Sequence, residues 1–267
     1  MRGWRMVFLA GCLVVGGCAD SDSAEPGGSA ASPIKLDQSI RQFDFGNTTW
    51  VVEHPDVQVH LTDGNGTRQY EDLTIFYQLF GEPAYADVDG DGDEDAAVGI
   101  TDNGGGNGAN SIWYVWLWQD GTAKQLSAQP FAFHTRCSGR VDAVQPVPEG
   151  FEVLDAIWDG STSCAAGKAK PFSYVISVRD GFLVQVKPRL APLEMCHPAR
   201  QTRRGPAPPG LVGYLAPDER APRLAPREYR EVRFSESAGP EEEWTLVLLS
   251  TDDEDFCGWV RTSEIIG

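Results

Sequence analysis

The residues best equipped for chemistry stand in one run, Asp87-Val88-Asp89-Gly90-Asp91-Gly92-Asp93-Glu94-Asp95. Counted from Asp87, carboxylates fall at positions 1, 3, 5 and 9 with glycine at 6, a spacing that lets their oxygens converge on one hard cation. Asp93 at position 7 would offer its backbone carbonyl, and Gly92 permits the tight turn. So many carboxylates packed together repel one another unless a divalent cation or full hydration neutralises them. An oxygen-only, flexible set suits calcium better than magnesium, and its expected role is structural. The run departs from an EF-hand loop at position 12, which is Val98 in place of a bidentate Glu. An acidic hairpin turn without bound metal is the alternative.

Other chemical constellations are sparse. There is no GxSxG, since Gly160-Ser161-Thr162-Ser163-Cys164 misses the second glycine, and no HExxH. The histidines, His54, His60, His134 and His197, share no motif. Carboxylate pairs of the kind used in glycoside hydrolysis are available in any β domain with 39 acidic residues, so a hydrolase of wall or extracellular polymer is the competing function class. Cys137, Cys164, Cys196 and Cys257 lack the CxxC or Cys/His spacing of a zinc site and read as disulfides. Of the three connectivities, Cys137–Cys164 with Cys196–Cys257 keeps each bridge within one module.

The elements that must position the acidic run are β-strands. Segments 47–52, 56–61, 73–80, 96–100, 111–118, 151–158, 172–178 and 182–187 are rich in aromatic and β-branched residues and are bounded by turn signals. Along 111–118, Ile112, Tyr114, Trp116 and Trp118 point one way and Trp113, Val115 and Leu117 the other. Both faces are apolar, which predicts a central strand buried on two sides. Arg179-Asp180-Gly181 marks a hairpin. The glycine-rich stretch 102–110 lacks GxGxxG spacing and reads as a loop between strands. After the Pro/Arg-rich stretch 196–210, short strands are expected at 211–215, 229–234, 244–249 and 258–266. The acidic runs Glu241-Glu242-Glu243 and Asp252-Asp253-Glu254-Asp255 read as solvated turns.

At the N-terminus, Arg2 and Arg5 precede an apolar stretch from Met6 to Gly17, too short to span a bilayer stably. Val15-Gly16-Gly17-Cys18 resembles the lipobox of bacterial lipoproteins; a second match, Leu9-Ala10-Gly11-Cys12, would leave a very short apolar region. The resemblance implies acylation (palmitate) of Cys18, cleavage before it, and attachment to the membrane through the acyl chains. Ala19 rather than Asp follows Cys18, which by the sorting rule of enteric bacteria favours the outer membrane, facing the periplasm, in a Gram-negative host. Loss of residues 1–17 deepens the formal charge from −17 to −19. That acidic surplus argues against nucleic acid and against attachment to anionic lipid through a basic surface.

Two further resemblances concern the folded parts. The acidic run is similar to the DxDGDGxxD calcium loop of FG-GAP and VCBS-type repeats, which implies ligand positions at Asp87, Asp89, Asp91 and Asp95 and a strand directly after the loop. Those families build propellers from several copies, and one copy is found here. Trp244-Thr245-Leu246-Val247-Leu248 followed by Cys257-Gly258-Trp259-Val260 resembles the end of a bacterial Src-homology-three-like (SH3-like) domain. That likeness implies a small five-stranded barrel for a wall (peptidoglycan) peptide or an envelope protein, with Tyr214, Tyr229, Trp244 and Trp259 as its candidate surface. The expected order is a signal peptide (1–17), a flexible tether (18–37), a mainly β domain of antiparallel sandwich or propeller-like sheets (38–195), a linker (196–210) and the barrel (211–267). The expected function is that of a non-catalytic, calcium-stabilised envelope lipoprotein.

Overall fold

The structure, a computed structural model, describes residues 35–52, 55–104, 108–135, 140–158, 169–196 and 200–266. Cys12, Cys18, Cys137 and Cys164 lie outside the described residues, as does the Gly160–Cys164 segment.

The chain is mainly β, and its strands follow one another as antiparallel meanders. Strands β1 (Thr49–Val51) and β2 (Gln58–His60) form a small two-stranded sheet. The central sheet runs β3 (Asn65–Tyr70), β4 (Leu73–Ala86), β5 (Asp95–Asn103), β6 (Asn110–Gln119) and β7 (Thr122–Gln125), and β8 (Ala132–His134) also pairs with β6. A third sheet contains β9 (Ala143–Val147), β10 (Gly150–Trp158), β11 (Ala169–Arg179), β12 (Phe182–Lys187) and β13 (Ala191–Pro192). The fourth contains β14 (Arg203–Pro206), β15 (Glu231–Phe234), β16 (Trp244–Ser250) and β17 (Asp255–Arg261).

Strand β6 is the spine of the molecule, because its two apolar faces enter two different cores. Ile112, Tyr114 and Trp116 join Trp50, Val52, Val59 and Leu61 of the β1–β2 layer, where Trp50 meets Trp116 edge-on at 4.9 Å. Trp113, Val115 and Leu117 face Phe151, Val153, Ile176 and Val178 of the third sheet. Short 3-10 turns at Ser39–Gln42 and Phe45–Asn47 close the first core with Ile40 and Phe45.

The C-terminal part differs from the sequence expectation in four places. Arg203–Pro206, read as linker, is strand β14, paired with β15 through Arg203↔Phe234 to Pro206↔Glu231; its one proline, Pro206, is tolerated at a sheet edge. The strand expected at 211–215 is reduced to a single bridge, Tyr214↔Trp259, so the sheet has four strands where five were expected. The last strand stops at Arg261, and Thr262–Ile265 forms one helical turn. Finally, a four-stranded sheet cannot enclose its own core, and Val184 of β12, fully buried, completes it beside Leu215, Val247 and Leu249. The residues from Lys35 onward form one compact unit. The disulfide Cys196–Cys257, with Cα atoms 5.5 Å apart, ties the chain just after β13 to β17.

The two acidic runs lie in exposed turns, as expected, and some of their members also pair with arginines. Arg230 pairs with Asp252, Arg233 with Asp255 at 2.8 Å, and Arg261 with Glu243. Bringing strands β15 to β17 side by side supplies these arginines, which lie 18 to 22 residues away in sequence.

Candidate metal centre

The acidic run is the connection between β4 and β5, a hairpin of the central sheet that closes on the pair Ala86↔Asp95. Strand β4 breaks register between Phe80 and Ala84, with Gly81 at φ +70°, and this bulge re-aims its last residues toward the turn. Gly90 and Gly92 adopt φ of +83° and +98°, a region that costs a side-chain-bearing residue strain and glycine none. The turn is folded on its own carboxylates. Asp87 accepts from Gly90 N at 2.7 Å and from Gly92 N at 3.2 Å, Asp89 accepts from Asp91 N, and Asp91 accepts from Asp93 N.

Asp87, Asp89 and Asp95 each bring a carboxylate oxygen to a common place, all within 4.8 Å of one another. Asp87 and Asp89 are half-buried, and Asp95 is fully buried. The side chains of Asp91 and Asp93 are not in this group: Asp91 is exposed and bonded to the backbone of Asp93. Of the four carboxylates assigned to ligand positions by the repeat resemblance, the fold thus brings three together. The donor set fits a hard cation, being all oxygen, and no Lys or Arg pairs with these three among the described residues. A cleft of about 430 Å³, lined by Asp89, Lys124 and Asp180 among others, lies beside the site.

Three attachments hold the turn. Asp95 spans the sheet, accepting from Val88 N at 3.0 Å and from Trp118 N of β6 at 2.9 Å. Val88 carbonyl accepts from Val178 N at 3.0 Å and from Ser177 Oγ at 2.9 Å, fastening the turn to β11. Asp37 lies on the other side: its N donates to Gly92 carbonyl at 3.2 Å and its carbonyl accepts from Glu94 N at 2.7 Å. Residue 37, read as the end of a flexible tether, is thus part of the fold. Glu94, itself buried, takes a bidentate contact from Arg41 and a bond from Gln38 at 3.0 Å. Nothing in the local sequence marks this clamp; only the acid at 94 and the base at 41, brought together by the Asp37 pairing, reveal it.

The electrostatics follow from burial. The Arg41 guanidinium, by donating to Glu94, holds that carboxyl below its usual range. Burial raises Asp89, and the Asp91 charge adds to it. Asp95 is pushed up to about 7, first by burial, then by Asp89 and Asp91, against the pull of the Trp118 and Val88 N–H donors. With no cation bound, a carboxyl raised in this way stabilises the fold fully below its unfolded pKa, and that stability is lost as pH rises through about 7. In chelator, the melting temperature is expected to fall between about pH 4 and 7, and the Asp95→Asn variant to show a flatter profile whatever its absolute stability. Parallel profiles for the two proteins would contradict this assignment.

The candidate aromatic surface does not form one patch. Three of its members are neighbours: Tyr214 and Trp244 meet edge-on at 5.3 Å, and Tyr214 is bridged to Trp259, whose indole donates to Glu194 at 3.4 Å. Tyr229 instead packs against the buried Phe256 at 6.5 Å. All four are half-buried. No protein family, curated protein or solved structure matches this chain, so its reading rests on the residues themselves. No helix among the described residues is long and apolar enough to cross a membrane.

Proposed function

We propose that this chain is a non-catalytic lipoprotein of the bacterial cell envelope, anchored through acyl chains on Cys18. In this reading calcium, held by Asp87, Asp89 and Asp95 with the Asp93 carbonyl as a further donor, fixes the β4–β5 turn. The fourth sheet is read as a small SH3-like unit that engages a wall peptide or an envelope protein. The observation that carries the reading is the convergence of three carboxylates, one of them buried without a basic partner among the described residues, at a turn stapled to two sheets. The order of residues supports it as well, through the likeness of the run to FG-GAP and VCBS-type loops. When bound, the cation supplies positive charge to acids that otherwise repel one another. The chain itself orients the acids through the backbone N–H groups of Val88, Gly90, Gly92 and Trp118.

The test is thermal unfolding of the protein in calcium and in chelator. A ligand that binds only the folded state at a hundred times its Kd stabilises by about 2.7 kcal/mol. A rise of several degrees in calcium is expected, and an unchanged midpoint sinks the proposal.

A further inference from the structure

A groove of about 310 Å³ crosses the C-terminal unit between the Gly210–Gly213 stretch and the segment from Arg223 to Tyr229. Leu211 and Leu224 supply its apolar floor, with Pro226 and Tyr229 along one wall. Its lining contains two guanidiniums, Arg223 and Arg227, and no acidic side chain. In a chain with 39 acidic and 22 basic residues, that local inversion of charge sets the groove apart.

Both arginines are held by rings. The Arg223 guanidinium lies 5.3 Å from the centre of Tyr214, and that of Arg227 lies 4.1 Å from the centre of Phe256. Arg227 contacts Glu254 only loosely, at 3.9 Å, and no carboxylate pairs with Arg223 among the described residues. Stacking on a ring fixes the plane of a guanidinium while leaving its N–H donors for a carboxylate. The backbone beside them is open as well. Leu224 N donates to Gly213 carbonyl at 2.8 Å and Arg230 N to Ser250 carbonyl at 2.8 Å, but residues 225–229 between them make no backbone–backbone hydrogen bond among the described residues. The carbonyls of this segment and its N–H groups, Pro226 having none, are left for a peptide backbone to pair with.

We infer that this groove binds an acidic peptide, an extended segment carrying an apolar side chain next to a carboxylate. The apolar side chain enters between Leu211 and Leu224, the carboxylate meets Arg223 and Arg227, and the peptide backbone bonds along 225–229. The inference rests on the reading of the fourth sheet as a peptide-engaging unit, and it extends that role from the Tyr214–Trp244 face to the groove beside Tyr229.

The experiment uses the full chain and fluorescent octapeptides with randomised flanks around a fixed Leu-Glu, Leu-Gln or Leu-Lys pair. The Leu-Glu pool is expected to bind about tenfold more tightly than the others, as one charge-assisted contact implies. An Arg223→Gln/Arg227→Gln variant, both residues being exposed, is expected to keep its melting temperature and lose that preference. Equal binding of the three pools, retention of the preference in the variant, or no binding at all overturns the inference. Soluble muropeptides are run in parallel. If the variant still binds them while the pools stay silent, the groove assignment fails alone; if they too fail to bind, the wall-peptide reading of the sheet falls with it.

Discussion

Replacing Cys18 with Ser is expected to move the protein from the membrane fraction to the soluble fraction and to abolish incorporation of labelled palmitate. The effect should be nearly all-or-none for a physical reason. Each buried methylene contributes about 0.8 kcal/mol, so one acyl chain holds a protein only marginally whereas two or more hold it stably. In that reading the processed chain carries a charge of −19, which disfavours attachment to anionic lipid through a basic surface. A Cys12→Ser variant should label and fractionate as the parent does. Palmitate retained in Cys18→Ser, or lost in Cys12→Ser, would place the lipid elsewhere.

Removing the Cys196–Cys257 bridge is expected to cost about 4 kcal/mol, the chain-entropy value for a loop closed across 61 residues. Such a loss is a large part of the stability of an ordinary domain, about 5–15 kcal/mol. Its location explains why so much rests on it. The C-terminal sheet completes its core with Val184 from β12, and the bridge ties β17 to the chain leaving β13, so the two groups of strands are kept in contact while that core forms. A Cys196→Ser/Cys257→Ser variant, unfolded in urea beside the parent under oxidising conditions, should show a lower midpoint and an equal or steeper slope, because the uncross-linked unfolded chain exposes more surface. Coincident curves would show that the bridge adds nothing to stability.

What could be read from the sequence was what local pattern encodes. Alternation along 111–118 identified β6 as a strand with two buried faces, Asp180-Gly181 identified the β11–β12 hairpin, and the acidic spacing identified the β4–β5 turn. The bridge Cys196–Cys257 came from requiring each pair to stay within one module. What could not be read depends on partners remote in the chain. Arg203–Pro206 has the composition of a linker, and it is a strand only because β15 offers an edge. Val184 looks like any residue of a β-hairpin, yet it fills the core of another sheet. Asp37 has no periodic neighbours to mark it, and its role is set by backbone bonds to Gly92 and Glu94. For the candidate site, the spacing marked the run 87–95, but not which of its carboxylates converge. Asp91 stands at a ligand position by count, and the turn spends it on the N–H of Asp93.

The central claim is that Asp87, Asp89 and Asp95 form a calcium site that stabilises the fold. Calorimetric titration of the purified chain with calcium tests it most directly, run on the parent and on an Asp87→Asn/Asp89→Asn variant. These two side chains are half-buried and do not carry the bond across to β6, so the variant should still fold. The account predicts one saturable calcium per parent chain and no binding heat in the variant. No heat in the parent, or the same heat in both, would contradict it.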